Sequence, residues 1–274
     1  MNRKSISRRG ASTLFATVLA ALALGVVPAG SASAVTDTPE SYISYLESQG
    51  AAGSTTLTQF KALSADNQQK FLGYISDSAL TIELTKLTVG ALDDSGIAPD
   101  WNPNTGTAGP TLPADAPTSP FSSTSETTAM ANAAGTVVNT QTLAGGDVVM
   151  QSTTGVTDVN GTAVNPTAGK AADWHAWYSV KDKVLGVTVT EVKIWIDYHS
   201  TTTKVTKMYN CNGSHKNMVP ASSYKMGTPK KWISAAKNAH GEISWGAELS
   251  GQEWSGVQRI WGDETGYRGG SLKD

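Results

Sequence analysis

Four histidines are scattered through the chain, and the pairing singled out for chemistry is Asp197-Tyr198-His199, in which His199 follows an aspartate by two positions. On an extended strand, residues two apart share a face. The carboxylate is therefore placed to orient the imidazole, or the two side chains to supply two metal ligands. The spacing offers no third ligand. A Gly-x-Ser-x-Gly elbow is absent, as is a phosphate-binding glycine loop between a strand and a helix. Gly262-Asp263-Glu264-Thr265-Gly266 lacks the alternating Asp/Asn ligands of a calcium loop and reads as a turn. The expectation is a protein without catalytic residues, metal or cofactor. Paired carboxylates for glycoside cleavage are set by the fold rather than by spacing, so an exported hydrolase stays open as a lesser alternative.

Tryptophan is the second chemical signal. Seven of the eight lie beyond residue 170: Trp174, Trp177, Trp195, Trp232, Trp245, Trp254 and Trp261. Most are expected to fill a core. Trp195 falls in the polar phase of its segment with Lys193, Asp197 and His199, Trp177 shares a phase with His175, and Trp254 stands between Glu253 and Ser255 in an expected loop. Exposed side by side, such rings form a stacking platform for sugars or a belt at a lipid interface. The expected ligand-binding residues are Trp177, Trp195, Asp197, His199 and Trp254.

These residues need a sheet to hold them. From Val192 the apolar residues Val192, Ile194, Ile196 and Tyr198 alternate with polar ones, Ser200–Thr203 is short and polar, and Val205, Tyr209 and Cys211 resume the pattern. This predicts a β-hairpin with Tyr198 opposite Val205, Ile194 opposite Tyr209, Val192 opposite Cys211 and Trp195 opposite Met208. Lys207 then falls on the dry face and breaks the pattern. Cys211, the only cysteine, points into the core. Short Ser/Thr-rich strands are predicted between Thr136 and Val164, with a turn at Asn160-Gly161. Further strands are predicted at Trp174–Val180, within Met218–Met226, at Ile243–Leu249 and at Val257–Trp261. A short helix is expected over Lys231–Ala239 and a glycine-rich tail over Gly262–Asp274. Strands at this spacing predict a mainly β fold, a C-terminal antiparallel β-sandwich over 136–274.

The front of the chain differs. Arg3, Lys4, Arg8 and Arg9, an apolar run from Leu14 to Val27 and Ala32-Ser33-Ala34 read as a signal peptide over 1–34. Residues 35–92 read as a small all-α region, with helix starts at Thr38-Pro39-Glu40, Thr55 or Thr56, Ser64 and Asp77. About 55 residues without cysteine or metal ligands make a marginal core, so these helices are expected to pack on something or to fold only when they do. Residues 93–135 hold six of the eleven prolines and read as a flexible linker. Between residues 35 and 169 thirteen acids face three bases, whereas from 170 onward fourteen bases face ten acids. The two parts carry opposite charge. They are expected to be joined by the linker, the β part standing alone.

Export, the single cysteine and the alanine-rich leader suggest a secreted, extracellular protein of a Gram-positive bacterium. Three readings follow: a non-catalytic binding protein whose sandwich grips an extracellular polymer, a cell envelope or a protein partner; an antibacterial or membrane-active protein at a membrane surface; or a hydrolase. Nucleic acid is not an expected partner.

Overall fold

The structure, a computed structural model, describes residues 38–89, 128–131, 136–162, 164 and 169–273. The expected signal peptide lies outside the described residues, as does the expected linker apart from Thr128–Ala131.

Among the described residues the four α-helices are α1 (Pro39–Ser48), α2 (Ser54–Lys61), α3 (Ala65–Ser76) and α4 (Ser78–Val89). Local chemistry starts three of them. Thr38 and Ser41 close a capping box, Oγ1 of Thr38 accepting from the Ser41 amide at 3.3 Å and Ser41 Oγ from the Thr38 amide at 3.3 Å. Ser64 accepts from the Asn67 amide, and Asp77 Oδ1 accepts from the amides of Ala79 and Leu80.

The rest is two antiparallel sheets. In the first, β1 (Thr128–Ala131), β2 (Val137–Leu143), β3 (Val148–Asp158), β4 (Ala172–Val184), β5 (Val187–Ser200) and β6 (Val205–Asn217) lie side by side in chain order. Leu185 and Gly186, with φ of +48° and +81°, turn β4 into β5 in the left-handed backbone that a two-residue hairpin needs. The second sheet is ordered β11 (Gly266–Lys273), β10 (Gln252–Asp263), β9 (Ala239–Leu249). Its β9 edge is completed by β7 (Ser222–Met226) beside Trp245–Leu249 and β8 (Lys230–Ile233) beside Ala239–Glu242. Pro229 stands between these two short strands, where a continuous ladder would need an amide proton that proline lacks.

The sheets close on a common core. Trp174, Tyr178, Val180, Val192, Ile194, Ile196 and Tyr198 from the first sheet meet Ile243, Trp245, Ala247 and Ile260 from the second. Two polar groups in it are paired: Trp245 Nε1 donates to Gln258 Oε1 at 2.9 Å, and Gln258 Nε2 donates to the Tyr178 carbonyl at 3.2 Å. Cys211 is buried, and burial pushes its thiol up to about 11, the behaviour of a packed hydrophobe rather than a nucleophile.

The helices pack onto this body. Tyr42, Leu46, Phe60, Phe71, Leu80 and Leu84 share one apolar cluster with Leu143, Val148, Val184, Val187, Val189, Met218 and Val219 of the sheet region. Hydrogen bonds fix the docking: Tyr42 Oη to the Met218 carbonyl at 3.0 Å, Thr56 Oγ1 to the Thr188 carbonyl at 2.8 Å, the Thr188 amide to Gln59 Oε1 at 3.0 Å and Tyr74 Oη to Asp147 Oδ2 at 2.7 Å. The helical and β regions are thus joined by a continuous core, not by a tether alone. The described residues fall in one compact unit.

Helix α4 goes furthest. It touches β4 and β5 on one side and β9 and β10 on the other, and its last residue, Val89, is fully buried in the inter-sheet core. Its threonine stripe, Thr81, Thr85 and Thr88, is buried with it. The Thr88 hydroxyl meets Oδ2 of the fully buried Asp182, which the Thr190 hydroxyl reaches from β5. Among the described residues Asp182 Oδ1 has no hydrogen-bond partner, and burial pushes this carboxyl up to about 6.

Several expectations change here. Four residues of the expected linker form strand β1. Lys231–Ala239 is no helix: Lys230–Ile233 is strand β8, followed by a turn. The glycine-rich tail is strand β11, in which Gly269 and Gly270 make room for aromatic rings. A Cβ on Gly269 would lie 2.4 Å from the Trp261 indole, and one on Gly270 2.8 Å from the Tyr178 ring. The hairpin is present, but its register differs. Irregularities beside Tyr198 and Ser200 pair Ser200 with Val205, Tyr198 with Met208, Ile196 with Cys211, Ile194 with Gly213 and Trp195 with Asn212. The irregular pairing carries Lys207 opposite His199 on the outer face and leaves Tyr209 exposed.

Candidate functional site

The first sheet turns one face to the core and the other away from it. On β5 the burial alternates without a break from Glu191 to Ser200: Val192, Ile194, Ile196 and Tyr198 are fully buried, while Glu191, Lys193, Trp195, Asp197 and His199 are half-buried. β4 alternates likewise over its first half, placing Asp173, His175 and Trp177 on the same outer face. Antiparallel register then sets Trp177 directly opposite Trp195, His175 opposite Asp197 and Asp173 opposite His199.

The Asp–His geometry is reciprocal. Asp197 and His199 share a face as their spacing predicts, yet they do not pair with each other. His175 Nδ1 lies 2.7 Å from Asp197 Oδ1, and His199 Nδ1 lies 2.7 Å from Asp173 Oδ1. Two tripeptides, Asp173-Trp174-His175 and Asp197-Tyr198-His199, run antiparallel and exchange partners. Their central aromatics hold the arrangement from below: Trp174 Nε1 donates to Ser200 Oγ at 2.8 Å, and the Tyr198 hydroxyl donates to the Gly266 carbonyl. Tyr209 Oη donates to Asp173 at 2.9 Å. Hydrogen bonds from His199 and Tyr209 hold the Asp173 carboxyl below its ordinary range. With Nδ1–H given to a carboxylate, a neutral imidazole keeps Nε2 as an acceptor. That suits hydrogen bonding to hydroxyl-bearing ligands. Among the described residues, no three His, Cys, Asp or Glu side chains are grouped to hold a metal ion.

The tryptophans form the adjoining row. Gly155 of β3 is the register neighbour of Trp177, and a Cβ there would lie 2.7 Å from the indole, so the ring lies across the bare glycine backbone. Lys193 Nζ stands 4.9 Å from the Trp177 ring centroid and 6.0 Å from that of Trp195. This cation–π contact contributes about 0.5–1 kcal/mol at a partly exposed site. Trp195 is also 6.5 Å from the His175 ring.

Four of the five expected residues, Trp177, Trp195, Asp197 and His199, therefore converge on one face. Trp254 does not. It lies in strand β10 of the other sheet rather than in a loop, half-buried in the phase of Gly256, Gln258 and Ile260, beside a shallow depression lined by Ser223, Lys225, Glu248 and Glu253. Asp173 and His175 complete the site and were missing from the expected set. Their signal was the repeat of Asp, aromatic, His at 173–175 and 197–199. A second aromatic row crosses the other sheet, where the exposed Trp232 stacks on His240 at 5.1 Å and 10°, and His240 is the register partner of Trp261.

No protein family matches this chain, and no curated protein or solved structure shows significant similarity to it.

Proposed function

We propose that the protein is an exported, non-catalytic binding protein whose outer sheet face, centred on Trp177 and Trp195, recognises an extracellular carbohydrate polymer. The observation that carries this reading is the pairing of two half-exposed indoles opposite each other, with two oriented Asp–His pairs in the next rows. A sugar ring offers an apolar face for an indole and a rim of hydroxyls for imidazole and carboxylate, and this face supplies both kinds of group within two rows. The signal-peptide pattern of residues 1–34 supports export.

Purified wall polysaccharides should retain the protein in a sedimentation assay. Trp177→Ala and Trp195→Ala should each weaken retention about fivefold to tenfold, as expected for losing a stacking contact of about 1 kcal/mol, with the thermal midpoint changed by less than a few degrees. Retention unchanged in the double variant would remove the site. Dye release from anionic liposomes by the wild type, without polysaccharide retention, would favour the membrane-active alternative instead.

A further inference from the structure

The same outer face continues past the tryptophans into a lysine cluster. Register places Lys181, Glu191 and Lys216 in one row across β4, β5 and β6, with Lys193 in the next row and Lys183 two residues beyond Lys181. Lys181 Nζ is 3.3 Å from Glu191 Oε1, and Lys183 Nζ donates to Gln151 Oε1 at 2.9 Å. Glu191 is the carboxylate that acts on Lys183, Lys193 and Lys216 together, so four ammonium groups share one counter-charge. Burial holds the ammonium groups of Lys183, Lys193 and Lys216 below the ordinary lysine range; Lys181 adds repulsion, and among the described residues Glu191 opposes it. Such a half-buried excess of positive charge is relieved by an anion.

The arrangement suits a phosphate. Strands β1–β6 contain no arginine, whose fork pairs bidentately with carboxylate and phosphate alike; the cations here are lysines, compact point charges that can gather around one phosphate from several sides. Lys193 sits two residues from Trp195, about 7 Å along the strand, and its ammonium already contacts both indoles. One ligand can therefore present an anion to the lysines and a ring to the tryptophans.

We propose that Lys181, Lys183, Lys193 and Lys216 bind the phosphodiester groups of an anionic glycan whose sugar or polyol units pack on Trp177 and Trp195. This rests on the carbohydrate reading above and names its ligand class. The test is calorimetric titration of the full mature chain with a phosphodiester-linked glycan oligomer, a neutral glycan of equal length and phosphatidylglycerol vesicles. The wild type should bind the phosphodiester glycan at least tenfold tighter than the neutral one, with affinity falling as salt rises. Lys183→Gln/Lys216→Gln, which touches neither indole, should lose at least that tenfold while leaving neutral-glycan binding unchanged. Equal affinity for both glycans, or no effect of the lysine variant, overturns the phosphodiester assignment and leaves the carbohydrate reading standing. Binding of vesicles in preference to either glycan overturns both, as does absence of glycan binding in a folded wild type.

Discussion

Replacing Asp182 by asparagine should stabilise the protein at pH 8 and flatten its stability between pH 4 and pH 6. Asp182 is fully buried against two neutral hydroxyls, those of Thr88 and Thr190, and one of its oxygens has no partner among the described residues. Its carboxyl ionises near 3.8 in the unfolded chain and at about 6 in the folded protein. Between those values the folded state binds more protons than the unfolded one, so wild-type stability falls as the pH rises through that window and is level above it. The full loss is about 3 kcal/mol, at 1.36 kcal/mol per pH unit. Asparagine keeps an acceptor for the hydroxyls and carries no charge. At pH 8 the variant should melt several degrees higher, since about 1 kcal/mol moves the midpoint of a chain this size by about 2–4 °C. At pH 4 the two proteins should melt within a degree or two of each other. A wild type whose midpoint is constant from pH 4 to pH 7 would show that Asp182 does not carry the proton assigned to it.

Deleting residues 38–89 should have the second large effect: the β region should not remain folded alone. Its end would expose Leu143, Val148, Val184, Val187, Val189, Met218 and Val219, all buried against the helices. Removing Val89 and the threonine stripe of α4 would also open the gap between the sheets and leave Asp182 without one of its two hydroxyl partners. Fully exposing an aliphatic side chain costs about 1.5–3 kcal/mol, so seven such side chains cost about 10–20 kcal/mol, as much as or more than the roughly 5–15 kcal/mol that usually separates a folded domain from its unfolded chain. The truncated protein should aggregate or bind a hydrophobic dye, with its near-ultraviolet circular dichroism lost. A monomeric, cooperatively melting fragment would show instead that the sandwich closes without its helical end.

The contrast between these helices and the sheet shows what was legible in the chain. Thr38, Ser64 and Asp77 announced three helix starts because a cap acts within three residues of itself. Strict alternation announced β5 and the outward placement of Trp195. Register is a different kind of information: the irregularities beside Tyr198 and Ser200 have no local signature, and they moved every cross-strand partner expected near Tyr209 and Lys207. The Asp–His exchange was out of reach for that reason, because it depends on which β4 residue faces Asp197. Gly269 and Gly270 read as a loose tail until the rings of Trp261 and Tyr178 are placed over them. Pro229 divides one sheet edge into two short strands, and the expected helix at Lys231–Ala239 reflected composition without that edge in view. The docking of the helices was hidden in the sequence by distance, since Tyr42 meets a carbonyl 176 residues away.

The wedge formed by α4 has a kinetic consequence. Each strand of the first sheet pairs with its neighbour in the chain, so that sheet can grow by successive hairpins with little loop-closure entropy to overcome. The insertion of α4 brings Thr88 to Asp182 across 94 residues and needs both sheets as walls. Assembly therefore has a natural late event, the seating of the helix, and until it happens the molecule is an open clam whose inner leaves are wet.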